Sequence, residues 1–230
     1  MKTIFIVPSC INSKIGALDF ETRYRLSFDT FNTIRKQVEN ATIIFCDSSI
    51  GGLSEEKKKE LTSNVDYYLD YSEDPIAQKF NDQGLKSFGE VYLLRKGIEF
   101  AKIKLDLEEP GRMFKLGARY YLLDSFTMSD YKNTEDKYVF KKKVESWMDK
   151  NISDKYNSAY MLQTLLYSWS FSLTDEYLQI LDNITDTMMM GFDTEHAHFL
   201  NIPKEKLLEY DNLNAAGNVA GYTNAYYVEH

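Results

Sequence analysis

Two short unbroken apolar runs with an amphipathic helix between them constrain this chain more than any other feature. The first, Lys2 to Val7, is closed by Pro8-Ser9; the second, Ala41-Thr-Ile-Ile-Phe-Cys46, is closed by Asp47-Ser-Ser-Ile-Gly-Gly52. A strand without polar alternation suits a sheet covered on both faces. Between the two runs, Tyr24, Phe28, Phe31, Ile34 and Val38 recur at helical spacing. Strand, helix and strand in that order predict a right-handed βαβ unit.

The alternation continues. Ser54-Glu-Glu-Lys opens a short charged helix with Ser54 as its N-cap, and Val65-Asp-Tyr-Tyr-Leu69 reads as a third strand. From Ser87 to Lys104, Phe88, Val91, Leu94 and Ile98 mark another helix, and Met113 to Leu122 a strand interrupted at Gly117. The fold class expected is α/β, with an open, mostly parallel sheet. The second half is mixed. Lys137 to Val144 and Ser158 to Ser168 read as strands, with Lys141-Lys-Lys143 as a solvated strand face. A helix is expected from Thr174 to Met189, capped by Thr174, with Asp175 and Glu176 in its first turn. Met188 to Met190 suit core filler or a lid. The small-residue tail from Ala215 to Tyr222 is expected to fold back over the site. No repeat or low-complexity linker divides the chain, so 1–230 is read as one domain with an N-terminal half, 1–122, and a C-terminal half, 123–230.

The 17 Tyr and 14 Phe, against 11 Gly and 4 Pro, describe a packed protein rather than a disordered one. A formal net charge of −8 argues against a general nucleic-acid binder, though not against a local basic pocket. Cys10 and Cys46 are the only cysteines, so no disulfide framework is expected. The first apolar run is too short for a membrane span, and no other approaches ~18 residues. These features predict a soluble, cytoplasmic protein.

In an open parallel sheet, ligands bind beyond the carboxyl ends of the strands. Pro8-Ser9-Cys10, Asp47-Ser48-Ser49 and Lys115 to Arg119 fall there. Lys115 and Arg119 flank Gly117, and two cations beside a glycine that lets backbone approach a ligand suit a phosphate. A buried strand with two snorkelling side chains fits the same residues. Asp47 could accept bonds from ribose hydroxyls or a base edge, and Asp-Ser-Ser is also a good turn former. Ser87 and Glu90 read as a capping box, beside which Lys86 could attract an anion. Farther on, Asp193, Glu195, His196 and His198 gather. Glu195 or Asp193 could be a general base tuned by His196, or the acids could simply open a helix. No Gly-x-Gly-x-x-Gly follows the first strand, and neither a Walker motif nor a Gly-x-Ser-x-Gly elbow occurs.

Four segments in order, Ile4 to Ser9, Ala41 to Ser49, Lys86 to Glu90 running into Phe114 to Tyr120, and Asp193 to His196, resemble small GT-A-type glycosyltransferases of bacteria and their viruses. The resemblance covers most of the chain. It implies a nucleotide-sugar donor bound by the first half, with Pro8, Ser9 and Asp47 at the nucleoside and Ser48, Lys86, Lys115, Gly117 and Arg119 also on the donor side. It implies a glycan, protein or other hydroxyl acceptor met by the second half. The family usually carries an Asp-x-Asp pair that holds a divalent metal; this chain has none, and the corresponding place reads Lys115-Leu-Gly-Ala-Arg119. A metal-independent transferase without a cofactor is therefore expected, with Lys115 and Arg119 stabilising the leaving diphosphate and Glu195, Asp193 and His196 on the catalytic side. A non-catalytic glycan- or nucleotide-binding protein is the alternative. A nucleic-acid acceptor is disfavoured by the charge.

Overall fold

The computed structural model describes residues 1–108 and 110–218, and the backbone of 226–228. The chain runs β1 (Lys2–Ser9), α1 (Phe20–Gln37), β2 (Thr42–Asp47), α2 (Glu55–Thr62), β3 (Tyr67–Asp70), α3 (Pro75–Asp82), α4 (Lys86–Lys104), β4 (Gly111–Leu116) and β5 (Tyr120–Leu122). It continues through β6 (Tyr138–Lys141), β7 (Val144–Glu145), α5 (Lys150–Tyr156), β8 (Tyr160–Met161), β9 (Leu166–Ser170), α6 (Thr174–Met189), α7 (Thr194–Asn201), β10 (Leu207–Tyr210), β11 (Ala215–Asn218) and β12 (Tyr226–Val228). Among the described residues no helix is long and apolar enough to cross a membrane.

The main sheet has the order β10-β6-β9-β4-β1-β2-β3. Strands β3, β2, β1 and β4 are parallel, and β9 enters antiparallel between β4 and β6. Both faces of β1 are buried, which explains its lack of polar alternation. Ile4 and Ile6 point into a core shared with α4 and α6, while Phe5 and Val7 meet α1 on the other face. Helix α4 lies close on the sheet because residue 97 is glycine. A Cβ there would sit 2.5 Å from Ile6 Cγ2 and 3.1 Å from Cys46 Sγ.

Several local expectations are corrected. Ser87 lies inside α4 rather than capping it; Leu85 precedes the helix without a side-chain cap, and Glu90 turns to Lys115 instead of closing a box. Thr174 is likewise the first helical residue of α6, because a short 3-10 turn, Phe171–Leu173, leads directly into it. Helix α3, opened by Asp74 and Pro75, was not anticipated: at eight residues it is too short for a clear period. The run from Met113 is interrupted at Gly117 as expected, and β5 beyond it joins β11 and β12 in a second sheet. The run from Ser158 splits between β8 and β9, and that from Lys137 between β6 and β7. Met188 is buried, whereas Met189 and Met190 are exposed. Of the tail, residues 219–225 lie outside those described; Ala215 and Ala216 are buried in β11.

Candidate active site

The chain leaves β1 toward β2 and β3 on one side, then returns through α3 and α4 to β4 on the other. Strand order therefore reverses at β1, and the crevice beyond the carboxyl ends of β1 and β4 is the switch point where open α/β sheets bind ligands. Its floor is backbone. Ala118 N–H donates to Pro8 O at 3.4 Å, and Gly117 N–H to Leu165 O at 3.3 Å. Antiparallel β9 begins where β4 ends, with Leu166 opposite Leu116, which brings Gln163 to Leu165 to the same rim. A cleft of about 510 Å³ opens here. Pro8, Ser9, Ser48, Lys86, Lys115, Gly117, Arg119, Asp193 and Glu195 all line it; Asp47 and His196 do not.

Lys115 is not a free cation. It is only 2% exposed, and its ammonium is paired with Glu90 and donates to the Thr164 carbonyl. Burial opposes the charged form of Glu90, but Lys115, with a smaller contribution from Arg119, outweighs it and holds the carboxyl below its usual range. Arg23, Lys86 and Arg119 form no direct ion pair with a carboxylate among the described residues. Arg23 is 8% exposed and spans three carbonyls, donating to Leu18 O at 2.9 Å, Cys10 O at 3.1 Å and Ile15 O at 2.6 Å. Burial and then Arg119 push its pKa down. Lys86 is pushed down by partial shielding, then by Arg23 and Arg119. Arg119 keeps a buried Nη1 without a hydrogen-bond partner among the described residues. Gly16, at φ +103°, makes the convergence feasible. A Cβ there would lie 2.7 Å from Lys86 Nζ and 2.8 Å from Arg23 Nη2. Gly117 serves a different need from the one expected, giving room to the Tyr120 ring, 3.1 Å from where its Cβ would stand.

Asp47 is a correction. Fully buried, it accepts Ile11 N–H at 3.0 Å and Ser49 N–H at 3.2 Å, so it ties the β1 and β2 loops together rather than meeting a nucleoside. Burial raises its pKa to about 6 against those bonds. Ser48, next to it, does reach the cleft.

On the opposite wall, Asp193 is the N-cap of α7. Its Oδ1 accepts His196 N–H at 2.8 Å, as the acid-rich helix-start reading anticipated. The same oxygen lies 2.6 Å from His196 Nδ1, and Oδ2 accepts Trp147 Nε1–H at 3.1 Å. His196 is fully buried, with Nε2 2.7 Å from Ser146 Oγ, so it orients Asp193 from behind and does not line the cleft. A carboxylate only accepts, which places the imidazole proton on Nδ1. Glu195 does face the cleft. One of its oxygens accepts the Thr164 hydroxyl at 2.8 Å, and burial, then Asp193 and Glu90, raise its pKa. His198 is buried among Tyr177 and the Thr194 carbonyl, away from the cleft.

Each cleft carboxylate has a partner among the described residues. Glu90 is taken by Lys115, Asp193 by His196 and Trp147, and Glu195 by Thr164. Among the described residues no group of three or more His, Cys, Asp and Glu side chains is arranged to hold a metal.

Sequence reasoning missed Arg23, Glu90, Thr164 and Trp147. Arg23 left a signal: with Ser27 and Thr30 it makes a polar stripe on the buried side of α1, where a cation needs a reason. Glu90 was absorbed into a capping pattern, and Thr164 and Trp147 lie in loops without a motif.

No family model matches the sequence, and no curated protein matches it. Solved structures do match in shape. Core-mannan synthase A (CmsA/Ktr4) of Aspergillus fumigatus, in its Mn/GDP form, aligns over 95% of this chain and 74% of its own, at TM-score 0.55 and 10% identity. The galactosyltransferase LgtC, solved with donor and acceptor sugar analogues, aligns over 91% and 73%, at 0.51 and 11%. The bifunctional glycosyltransferase WbbM aligns over 91% of this chain and 38% of its own, at 0.50 and 7%. The architecture is that of the GT-A glycosyltransferases.

Proposed function

We propose that the chain is a glycosyltransferase that moves a sugar from a nucleotide-sugar donor to an acceptor hydroxyl, with the leaving diphosphate held by protein cations instead of a divalent ion. The observation that carries this reading is the convergence of Arg23, Lys86 and Arg119 at the switch point, none of which forms a direct ion pair among the described residues, although Glu90 acts on Arg119 from farther off. Like charges held together raise the folded state's energy until an anion arrives, and a diphosphate matches three cations in charge and reach. Arg119 keeps an unused donor for it. Lys115 contributes by fixing Glu90 and Thr164 rather than by touching phosphate.

In the transfer, the bond from the anomeric carbon to the diphosphate oxygen breaks, and a bond from that carbon to the acceptor oxygen forms. The leaving oxygen gains the negative charge, which the cations stabilise as it develops. The acceptor hydroxyl loses its proton to Glu195, whose raised pKa brings it closer to the operating pH as a base. Asp193 supports the wall through its bonds to His196 and Trp147.

A thermal-shift panel of UDP, GDP and their sugar conjugates tests the reading, since a ligand bound only by the folded state raises apparent stability. Arg119→Ala should lose one charge-assisted bond and weaken the best nucleotide by ~1.5–3 kcal/mol. Glu195→Gln should keep nucleotide affinity and lose turnover. Donor turnover abolished by EDTA and restored by Mn²⁺ would remove the metal-independent step. Nucleotide-sugar binding without transfer to any hydroxyl acceptor would reduce the chain to a binding module.

A further inference from the structure

Trp147 stands out on the cleft wall. The chain has two tryptophans; Trp169 is fully buried, whereas Trp147 is 69% exposed. Yet Trp147 is held. Its indole N–H donates to Asp193 Oδ2, and its ring meets His196 edge-on, 5.7 Å between centroids and 80° between planes. His196 is in turn fixed through both ring nitrogens, by Asp193 and by Ser146. Ser146 Oγ also accepts Met148 N–H at 3.0 Å, so the residues on either side of Trp147 are latched together. Ordering a large side chain while leaving its apolar face in water is unfavourable on both counts. The usual return for such an arrangement is a ligand that covers the ring.

We infer that Trp147 is a stacking platform for a pyranose unit of a carbohydrate acceptor. One face of a pyranose presents polarised C–H bonds, which complement the negative face of an indole. Its hydroxyls radiate at the rim, where the cleft supplies Glu195 and Gln163. An aromatic surface with a few convergent polar groups is the chemistry such a ring requires. A lipid surface fits less well. A tryptophan at a membrane interface presents its N–H to headgroups and water, and here the N–H is committed to Asp193. The exposed Met189 and Met190 lie at the end of α6 and do not line the cleft. The acceptor role rests on the transferase reading; saccharide stacking does not.

Because Trp169 is buried, a change in acrylamide quenching on ligand addition reports Trp147. The full chain is titrated with lactose, maltose and mannobiose, and separately with UDP and GDP. At least one disaccharide is expected to shield the indole saturably. Trp147→Ala should weaken that disaccharide about tenfold or more by calorimetry, Trp147→Phe should retain part of the affinity, and both should bind nucleotide as the parent does. Disaccharide binding equal in all three proteins would overturn the platform, as would nucleotide binding with no saturable response to any disaccharide. Shielding by phosphatidylglycerol vesicles but by no saccharide would replace it with a membrane face. A saccharide response in a chain that binds no nucleotide would support the platform and remove the transferase reading instead.

Discussion

Glu90→Gln is the most direct test of the pair beneath the cleft. Lys115 has 2% of its side chain exposed, and its ammonium reaches the Glu90 carboxylate, the Thr164 carbonyl and, 5.8 Å away, the Tyr167 ring. Removing one side of a fully buried ion pair costs ~3–5 kcal/mol, chiefly because the other charge stays behind. The Glu90 side chain is 35% exposed, so solvent screens the interaction and the expected loss falls to ~1.5–3 kcal/mol. Urea unfolding should show a lower midpoint with an unchanged slope. The pH dependence has a definite sign. Glu90 sits below its ordinary 4.5 in the folded state, so its contribution is present above that value and is lost as pH falls through the folded pKa. Parent and variant should therefore converge in acid. Lys115→Met should cost less, because the carboxylate left behind reaches water or takes a proton, and the double variant should recover part of the Glu90→Gln loss. Nucleotide affinity should not fall, since only negative charge leaves the cleft. A parental urea midpoint at neutral pH, or curves that stay apart in acid, would refute the pairing.

Two further outcomes follow from particular contacts. Gly16→Ala forces a Cβ into the gap between Lys86 and Arg23 at a left-handed φ, so stability should drop by ~1–3 kcal/mol and nucleotide affinity should fall with it. Unchanged melting and binding would mean that the loop relaxes without cost. Burial pushes His198 from 6.5 to about 4, so its contribution is present above 6.5 and is lost as pH falls through about 4. His198→Gln should flatten the stability profile across that window by ~3 kcal/mol, read by denaturant melts at stepped pH, and an unaltered slope would exclude His198 as its source.

The apolar runs at 3–7 and 41–46, with the helix period between them, were sufficient for the parallel unit and for the place of the cleft. A strand buried on both faces must be apolar throughout, and this pattern is local. The place of Pro8, Ser9, Lys86 and Arg119 along the cleft was legible for the same reason: they stand at or just beyond strand and helix ends, where open sheets leave a crevice. What only the tertiary structure decided was which cation forms a direct ion pair. Lys115 and Arg119 look alike in sequence. Glu90, from helix α4, pairs with the first, while Arg23, from helix α1, sets the second beside a like charge. Asp47 and His196 turned inward on the same principle. The state of a charged group depends on what lies across a few ångströms of folded space, and separation along the chain carries no record of that distance.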